Sequence, residues 1–474
     1  MNTNATPSML QIPDRTPPTD QYVPPRPVSL PAIVSLIRVM RQGDGDLLSL
    51  LPVTAYSDPI GPLGYSRRSI VIANAPELIQ QVLGSEVDAF PKSDLMVNAT
   101  EALIGDSIFT SSGETWKRQR RMIDPAFTAM RISRAFGAMN AGGDEAERTF
   151  DDHATSGAPL SLDKAMGHLA ADIICRTVFS TSLKSEIAHQ VFDDFAIFER
   201  SVAQVEVMRL IWDKAWTKVP QRDDVLAACT RIRAHLGTWI DGHRAAAEGT
   251  FNDIASSVIA ARDPETGEPF TRDELIDQLG VFFLAGHETT ASALTWAVFL
   301  LAMHRPTLNR MRAEVDAVVG DGDMTIEHTK HLPFVRNVFR ETLRLYPPIT
   351  FLPRVALKDT KLGTRKIKRG ALVMIAPWVV HRHKRYWQEP DVFDPDRFLP
   401  ERDHERTPGC YIPFGQGQRT CSGAAFATIE STLFLARLVR RYDIEVLDPD
   451  QVRPVARMTT RPARQIMLQL KLRS

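Results

Sequence analysis

Ten residues near the C-terminal end constrain this chain more than any other segment: Phe414-Gly415-Gln416-Gly417-Gln418-Arg419-Thr420-Cys421-Ser422-Gly423. Glycines at 415, 417 and 423 admit backbone angles and close approaches that a side chain forbids. Phe414 can pack on a nearby sulfur, as aromatic rings do. Cys421 stands just before the apolar run Ala424-Ala425-Phe426-Ala427-Thr428-Ile429, which reads as the start of a helix. A thiolate in that place meets unpaired N–H groups and the positive end of the helix dipole, and both stabilise its charge. The segment therefore reads as a loop that presents one thiolate. The pattern F-x-x-G-x-R-x-C-x-G fixes five positions, which separates it from a Gly-rich surface turn that happens to hold a cysteine.

A thiolate presented in this way is suited to hold a haem iron, and Arg419 is placed to meet a haem carboxylate. The other three cysteines do not compete for the role. Cys175 lies in an apolar segment, and Cys229 and Cys410 match no zinc spacing. Four cysteines in 474 residues form no disulfide framework, so a reducing cytoplasm is the natural home. Acidic and basic side chains number 57 each, and this neutrality argues against a nucleic-acid binder.

Residues 1–31 are polar and proline-rich, with no apolar run long enough for a signal peptide or a membrane anchor. They read as an extended arm along the body. Residues 32–474 contain no low-complexity linker and no repeat, which favours one domain. Within it, residues 53–73 predict a hairpin turning at Gly61-Pro62-Leu63-Gly64, and Ala75-Pro76 starts a helix. Residues 160–247 read as mostly helical with a break at Val219-Pro220. Pro264–Gly267 is a turn, and Thr271 with Glu274 forms a capping box that opens a long apolar helix to about residue 303. Residues 465–472 partly alternate and predict a final strand. The fold class is mainly α with small β-sheets (α+β).

The long helix contains Ala285-Gly286-His287-Glu288-Thr289-Thr290. Ala285 and Thr289 are four apart and share a face, leaving room beside a hydroxyl for dioxygen. Thr289 can steady a water, and Glu288 can feed protons from the solvent side, so the pair makes a short acid–alcohol relay. A third segment, Phe339 to Pro348, places Glu341 and Arg344 three apart, with Arg397 a candidate third member. In Trp116-Lys117-Arg118-Gln119-Arg120-Arg121, Trp116 and Arg120 are four apart, and their N–H groups suit a carboxylate.

Together these four segments, which run in the order expected of the family from about residue 32 to the C-terminus, resemble the cytochrome P450 family of haem-thiolate monooxygenases. The resemblance implies haem b between the long distal helix and the helix after the cysteine loop, with Cys421 as axial ligand. It implies that Glu288 and Thr289 deliver protons and that Glu341, Arg344 and Arg397 form a structural triad. Trp116, Arg120, Arg354 and Arg419 become propionate contacts, Arg354 by its position after Pro347-Pro348. Phe414, Gly415, Ala285 and Gly286 then lie against the cofactor. His381-Arg382-His383-Lys384-Arg385-Tyr386-Trp387, with Ala285–Thr289, looks closer to the fatty-acid-hydroxylase-like and microsomal-type branches. Without an anchor, that mixture implies a soluble bacterial member.

The implied activity inserts one oxygen atom of O2 into a hydrophobic small molecule, with NAD(P)H serving through a separate ferredoxin or flavodoxin and its reductase, because no reductase domain is fused. Expected pocket residues are Val281 and Phe282 on the helix face of Ala285, Ile349 and Phe351, Met96 and Leu103 in a lid region, and Met458 near the C-terminus. Lys117, Arg118 and Arg121, with Arg437, Arg440 and Arg441, form an expected basic docking patch. Two rival readings remain, a peroxide-driven haem enzyme and a non-catalytic haem protein.

Overall fold

A computed structural model describes residues 21–31, 34, 35, 37, 38, 46–63, 69–202, 221–247 and 249–473. It is 58% helical, which settles the α-dominated class. The principal helices are α1 Pro76–Gln80, α2 Asp94–Ile104, α3 Gly113–Ile123, α4 Ala129–Ser156, α5 Leu162–Phe179 and α6 Glu186–Val202. They continue as α7 Asp223–Ala245, α8 Arg272–Met303, α9 Arg305–Val319, α10 Pro333–Leu345 and α11 Ala424–Arg441. Strands β1 Ile60–Pro62, β2 Ile70–Ala73, β3 Leu160–Ser161, β4 Leu352–Val355, β5 Thr360–Leu362 and β6 Arg365–Ile367 precede β7 Leu372–Ile375. After it come β8 Tyr442–Val446, β9 Pro454–Ala456, β10 Thr460–Pro462 and β11 Met467–Leu472.

Helix α8 organises the molecule. The capping box at Thr271 and Glu274 is made as the sequence predicts, and it satisfies donors that a helix start leaves open. Beyond its first turns nearly every face of α8 is buried, the pattern of a helix inside a core. Close approach is bought with glycines on both sides of α5. A Cβ on Gly142 of α4 would meet Ile173 at 2.7 Å, and one on Gly286 of α8 would meet Ile174 at 2.3 Å. At its far end Trp296 stacks on Tyr346 at 4.0 Å and donates to the Thr460 carbonyl at 2.9 Å, tying α8 to the end of α10 and to β10. The larger hydrophobic cluster runs from Leu48 to Leu470, and a second one lies around the first sheet.

That sheet has the order β1-β2-β7-β4, with β2 and β7 parallel and the other pairs antiparallel. A second sheet has the order β3-β11-β8 and places the C-terminal strand centrally. The hairpin β9–β10 pairs Val455 with Arg461, so its turn carries Met458 and Thr459 toward α8. The expected hairpin over 53–73 is shorter than its sequence pattern. β1 and β2 pair, but Val53–Tyr56 is a 3-10 turn. Burial there falls on the adjacent Ala55 and Tyr56 rather than alternating, so the segment packs as a turn. The helices of 160–247 are α5, α6 and α7, and the break at Val219-Pro220 lies outside the described residues, as do residues 1–20 and Gly64. Residues 21–31 are extended and held to the body. Phe393 N–H donates to the Tyr22 carbonyl, the Tyr346 hydroxyl to the Pro25 carbonyl, and Arg26 pairs with Asp391 at 3.0 Å. Among the described residues no helix is long and apolar enough to cross a membrane.

Candidate functional site

The cysteine loop closes on itself through Cys421 N–H, which donates to the Phe414 carbonyl at 2.9 Å. Gly415 and Gly417 have φ of +77° and +73°, and a Cβ on Gly417 would lie 2.3 Å from the Leu83 carbonyl oxygen. Neighbouring helices anchor the loop. Arg120 donates to the Thr420 carbonyl at 2.7 Å, Arg419 to that of Ser111 at 3.1 Å, and Ser422 to Asp124 at 2.9 Å. Cys175, Cys229 and Cys410 are buried, whereas Cys421 is exposed. Yet Cys421 lies deep enough for burial to push its thiol pKa up, against the Gly423 N–H and Arg120, which lower it. Burial thus outweighs the helix-terminus effect that the sequence emphasised. A deep side chain with an accessible face looks onto interior space, and a coordinated metal would deprotonate such a thiol outright.

Beside the loop stands a set of cations with no acid bound to them. Arg354 on β4 is 4% exposed, its Nε has no partner, and its one hydrogen bond goes to the Pro353 carbonyl. Arg419 lies 4.4 Å over the buried Trp116 ring. Lys92 donates to the Phe109 carbonyl. Burial, with the neighbouring cations, pushes the pKa of Arg354 down to about 9 and that of Lys92 well below its ordinary value; burial also takes Arg419 to about 10. Among the described residues none of the three pairs with a carboxylate, so a buried dianion would relieve all of them. This set fits the two carboxylates of a haem beside a cysteine ligand. Arg120 is shared with Asp124 at 2.7 Å. Lys92 escaped the sequence reading because an isolated lysine has no motif or period; only its burial marks it.

On α8, Ala285 is exposed and Gly286 and Thr289 are partly so, amid buried neighbours. This accessible stretch inside the core gives the helix a second face onto interior space. Thr289 Oγ1 donates to the Ala285 carbonyl at 2.6 Å, which fixes the hydroxyl on that face. What Gly286 supplies is room for Ile174, so its glycine is explained by helix packing rather than by cofactor approach. Glu288 is not on a solvent face. It is 3% exposed and accepts hydrogen bonds from Thr459 and Arg461. These partners come from the C-terminal hairpin and carry no motif near Glu288.

Thr290, the next residue, joins α8 to α11 by donating to Glu430 at 3.5 Å. The other Glu430 oxygen has no partner, and burial pushes its pKa from 4.5 up to about 8. The native state therefore keeps a proton that the unfolded chain releases between about pH 4.5 and 8. Stability from this group falls as pH rises through that window. Glu430→Gln imitates the neutral acid and removes the dependence. The variant's advantage in unfolding free energy over wild type, read from urea titrations, is expected to grow from pH 5 to pH 9, by a few kcal/mol in order of magnitude; parallel curves would contradict the assignment. Other groups titrate alike in both proteins and cancel.

Glu341 and Arg344 form a fully buried bidentate pair, both contacts at 2.7 Å, and Arg397 Nε stands 3.4 Å from the same carboxylate. The expected triad geometry is present, with Arg397 also donating to the Gln388 and Glu389 carbonyls. Of the expected pocket residues, Met96, Ile349, Phe351 and Met458 are half-buried. Leu103 is a correction: it is 0% exposed and packed in the main hydrophobic core, because α2 lies against α8. Val281 is also core, and Phe282 sets its edge against Phe127 at 5.3 Å. The basic docking patch needs correction too. Lys117, Arg118, Arg121, Arg437 and Arg441 are paired with Glu114, Glu274, Glu265, Glu147 and Asp151, and Arg440 caps the Gly320 and Gly322 carbonyls. Paired cations leave little net field for a partner.

Known proteins resemble this chain in sequence and share its fold. The family model described as Cytochrome P450 matches residues 24–470. Cyclooctatin synthase of Streptomyces melanosporofaciens is 33% identical, with 84% of this chain and 86% of that protein covered. Cyclooctat-9-en-7-ol 5-monooxygenase of the same organism is 32% identical over 80% of this chain and 81% of its own. The crystal structure of the cytochrome P450DA heme domain superposes with a TM-score of 0.77 at 24% identity, covering 88% of this chain and 90% of that one, a likeness of fold.

Proposed function

The chain belongs to the cytochrome P450 family of monooxygenases, and we propose that it hydroxylates a hydrophobic carbocyclic molecule with Cys421 as ligand to haem b. Two observations carry this reading: the deep yet accessible Cys421 thiol, and the grouping of Arg419 of the same loop with Arg354 and Lys92, none of them paired with a carboxylate among the described residues. In it Trp116, Arg120, Arg354 and Arg419, joined by Lys92, would hold the propionates, and Phe414, Gly415 and Ala285 would lie against the cofactor. Bound haem supplies the activation of O2, for which the thiolate gives electron density.

The protein's own residues do the rest. The Thr289 hydroxyl, fixed by the Ala285 carbonyl, orients a water beside the reacting face, and Glu288 restores the proton it gives up. Met96, Ile349, Phe351 and Met458 exclude water and offer no charge, which suits a substrate of rings bearing at most a hydroxyl or two. The two Streptomyces relatives support that class through the compounds in their names. Members of the family take electrons from redox partners; here we assign a separate ferredoxin or flavodoxin with a reductase using NAD(P)H.

Reconstitution with NADPH, a ferredoxin and its reductase, offered polycyclic terpenoid hydrocarbons and alcohols, is expected to give hydroxylated product. Turnover with hydrogen peroxide alone, and none with the partner, would favour the peroxide-driven reading. Thr289→Ala is expected to keep haem and substrate binding while most NADPH electrons leave as hydrogen peroxide. Unchanged coupling would mean that another group delivers the protons.

A further inference from the structure

Behind Glu288 lies a cluster drawn from three elements, its Glu199 and His287 buried and its Arg461 side chain 37% exposed. Arg461 of β10 donates to both Glu288 oxygens and, at 2.7 Å, to Glu199 of α6. This leaves two polar atoms without hydrogen bonds, Glu199 Oε1 and His287 Nδ1, both buried and 3.5 Å apart. One ligand-type atom from each of Glu199, His287 and Glu288 lies within 4.8 Å of the others. Arg461 already neutralises one carboxylate. The second carboxylate needs a proton, on itself or on the imidazole, because a buried uncompensated charge is costly. The cluster therefore holds one proton with three places to sit. A divalent cation is the poorer occupant, since Arg461 already brings a positive charge there.

His287 also reaches outward. Its Nε2 lies 3.8 Å from the Cβ position of Gly167 on α5, beside the exposed His168. Charged or titratable groups facing this side are Lys164 and His168 of α5 and His189 and Asp193 of α6. Arg461 faces it from β10. Phe192 and Phe283 wall the imidazole at 5.4 and 5.9 Å between ring centroids.

We propose that His287 and Glu199 are the proton entry to Glu288: the imidazole takes a proton at Nε2 from the α5–α6 face and releases one from Nδ1 through Glu199 to the Glu288 carboxylate. No bond between heavy atoms changes, and the ring returns by exchanging tautomers. Charge at the site agrees with this order. Burial and the Glu199 charge push the Glu288 pKa up, while for Glu199 burial is outweighed by His287 and Arg461, which hold it below the usual carboxylate range. His287 and Glu199 act through Glu288 and are positioning residues.

The proposal rests on the reading of Glu288 and Thr289 as the delivery pair. Its test therefore includes a readout without turnover. The infrared carboxylic-acid band of Glu288, identified by its loss in Glu288→Gln, is titrated from pH 5 to 9. In Glu199→Gln the band should disappear at lower pH than in wild type, because a like charge has been removed. An unmoved band overturns the triad. In turnover, His287→Gln should slow product formation on the order of tenfold with a larger solvent isotope effect, and Glu288→Gln on the order of 10²-fold. If Glu288→Gln is impaired and the isotope effect in His287→Gln is unchanged, the entry route is wrong and the delivery pair stands. If Glu288→Gln turns over normally, the delivery pair itself is wrong.

Discussion

Cys421→Ser is expected to abolish the thiolate signature in the spectrum of the reduced carbonyl complex, and turnover with it. The substitution changes one atom. The loop should survive, because the contact that closes it is a backbone bond from Cys421 to Phe414 and its glycine turns are untouched. A serine hydroxyl loses its proton far less readily than a thiol, and it donates less electron density to iron when it does. Any haem retained would be held by Arg354, Arg419, Lys92 and the surrounding walls, with a weak or missing axial ligand. The unfolding free energy of the haem-free variant should stay within about 0.5 kcal/mol of haem-free wild type, since an accessible Cys-to-Ser change removes little buried area. The readout is the carbonyl difference spectrum beside the haem content. A serine variant with the wild-type spectrum would remove the sulfur at 421 from the site, and the proposed function with it.

How much of this could be read from the chain depends on how far apart the cooperating residues are. The cysteine loop, the capping box at Thr271 and the Glu341–Arg344 pair are local, and each reads directly because its geometry is set within a turn or two. Ala285 and Thr289 read for the same reason. Long-range partners do not. Arg461 meets Glu288 across 173 residues, and Lys92 reaches the neighbourhood of Arg354 and Arg419 only through folding. The sequence also misjudges burial where packing decides it. Glu288 reads as a solvent-side acid, yet a hairpin from the C-terminal end covers it, and Leu103 reads as lid yet is packed in the core. The basic docking patch failed similarly, because most of its acidic partners lie far along the chain, Glu274 for Arg118, Glu147 for Arg437 and Asp151 for Arg441.

The same distinction between local pairs and buried networks sets the largest stability effect. Arg344→Lys is expected to cost about 3–5 kcal/mol, a large part of the 5–15 kcal/mol that holds a typical domain together. Arg344 is 0% exposed, and its guanidinium fills a planar set of acceptors. Both Glu341 oxygens receive it at 2.7 Å, and the carbonyls of His381, Pro390 and Val392 take its other N–H groups at 2.6–2.9 Å. A lysine keeps the charge but has three donors on one nitrogen and cannot span that plane. Carbonyls left without donors, and a Glu341 charge held by one contact in the core, are the expensive consequences. The damage should spread. Glu341 also accepts from the Asp394 N–H and draws in Arg397, so the segment that leads toward the cysteine loop loses its anchor. Arg310→Gln is the contrast. Its pair with Asp396 at 2.7 Å is half exposed and should be worth no more than about 1 kcal/mol. Urea midpoints and soluble yields of the two variants, measured side by side, decide the matter. Comparable small losses in both would mean that the buried network is not what holds α10 to the loops around the site.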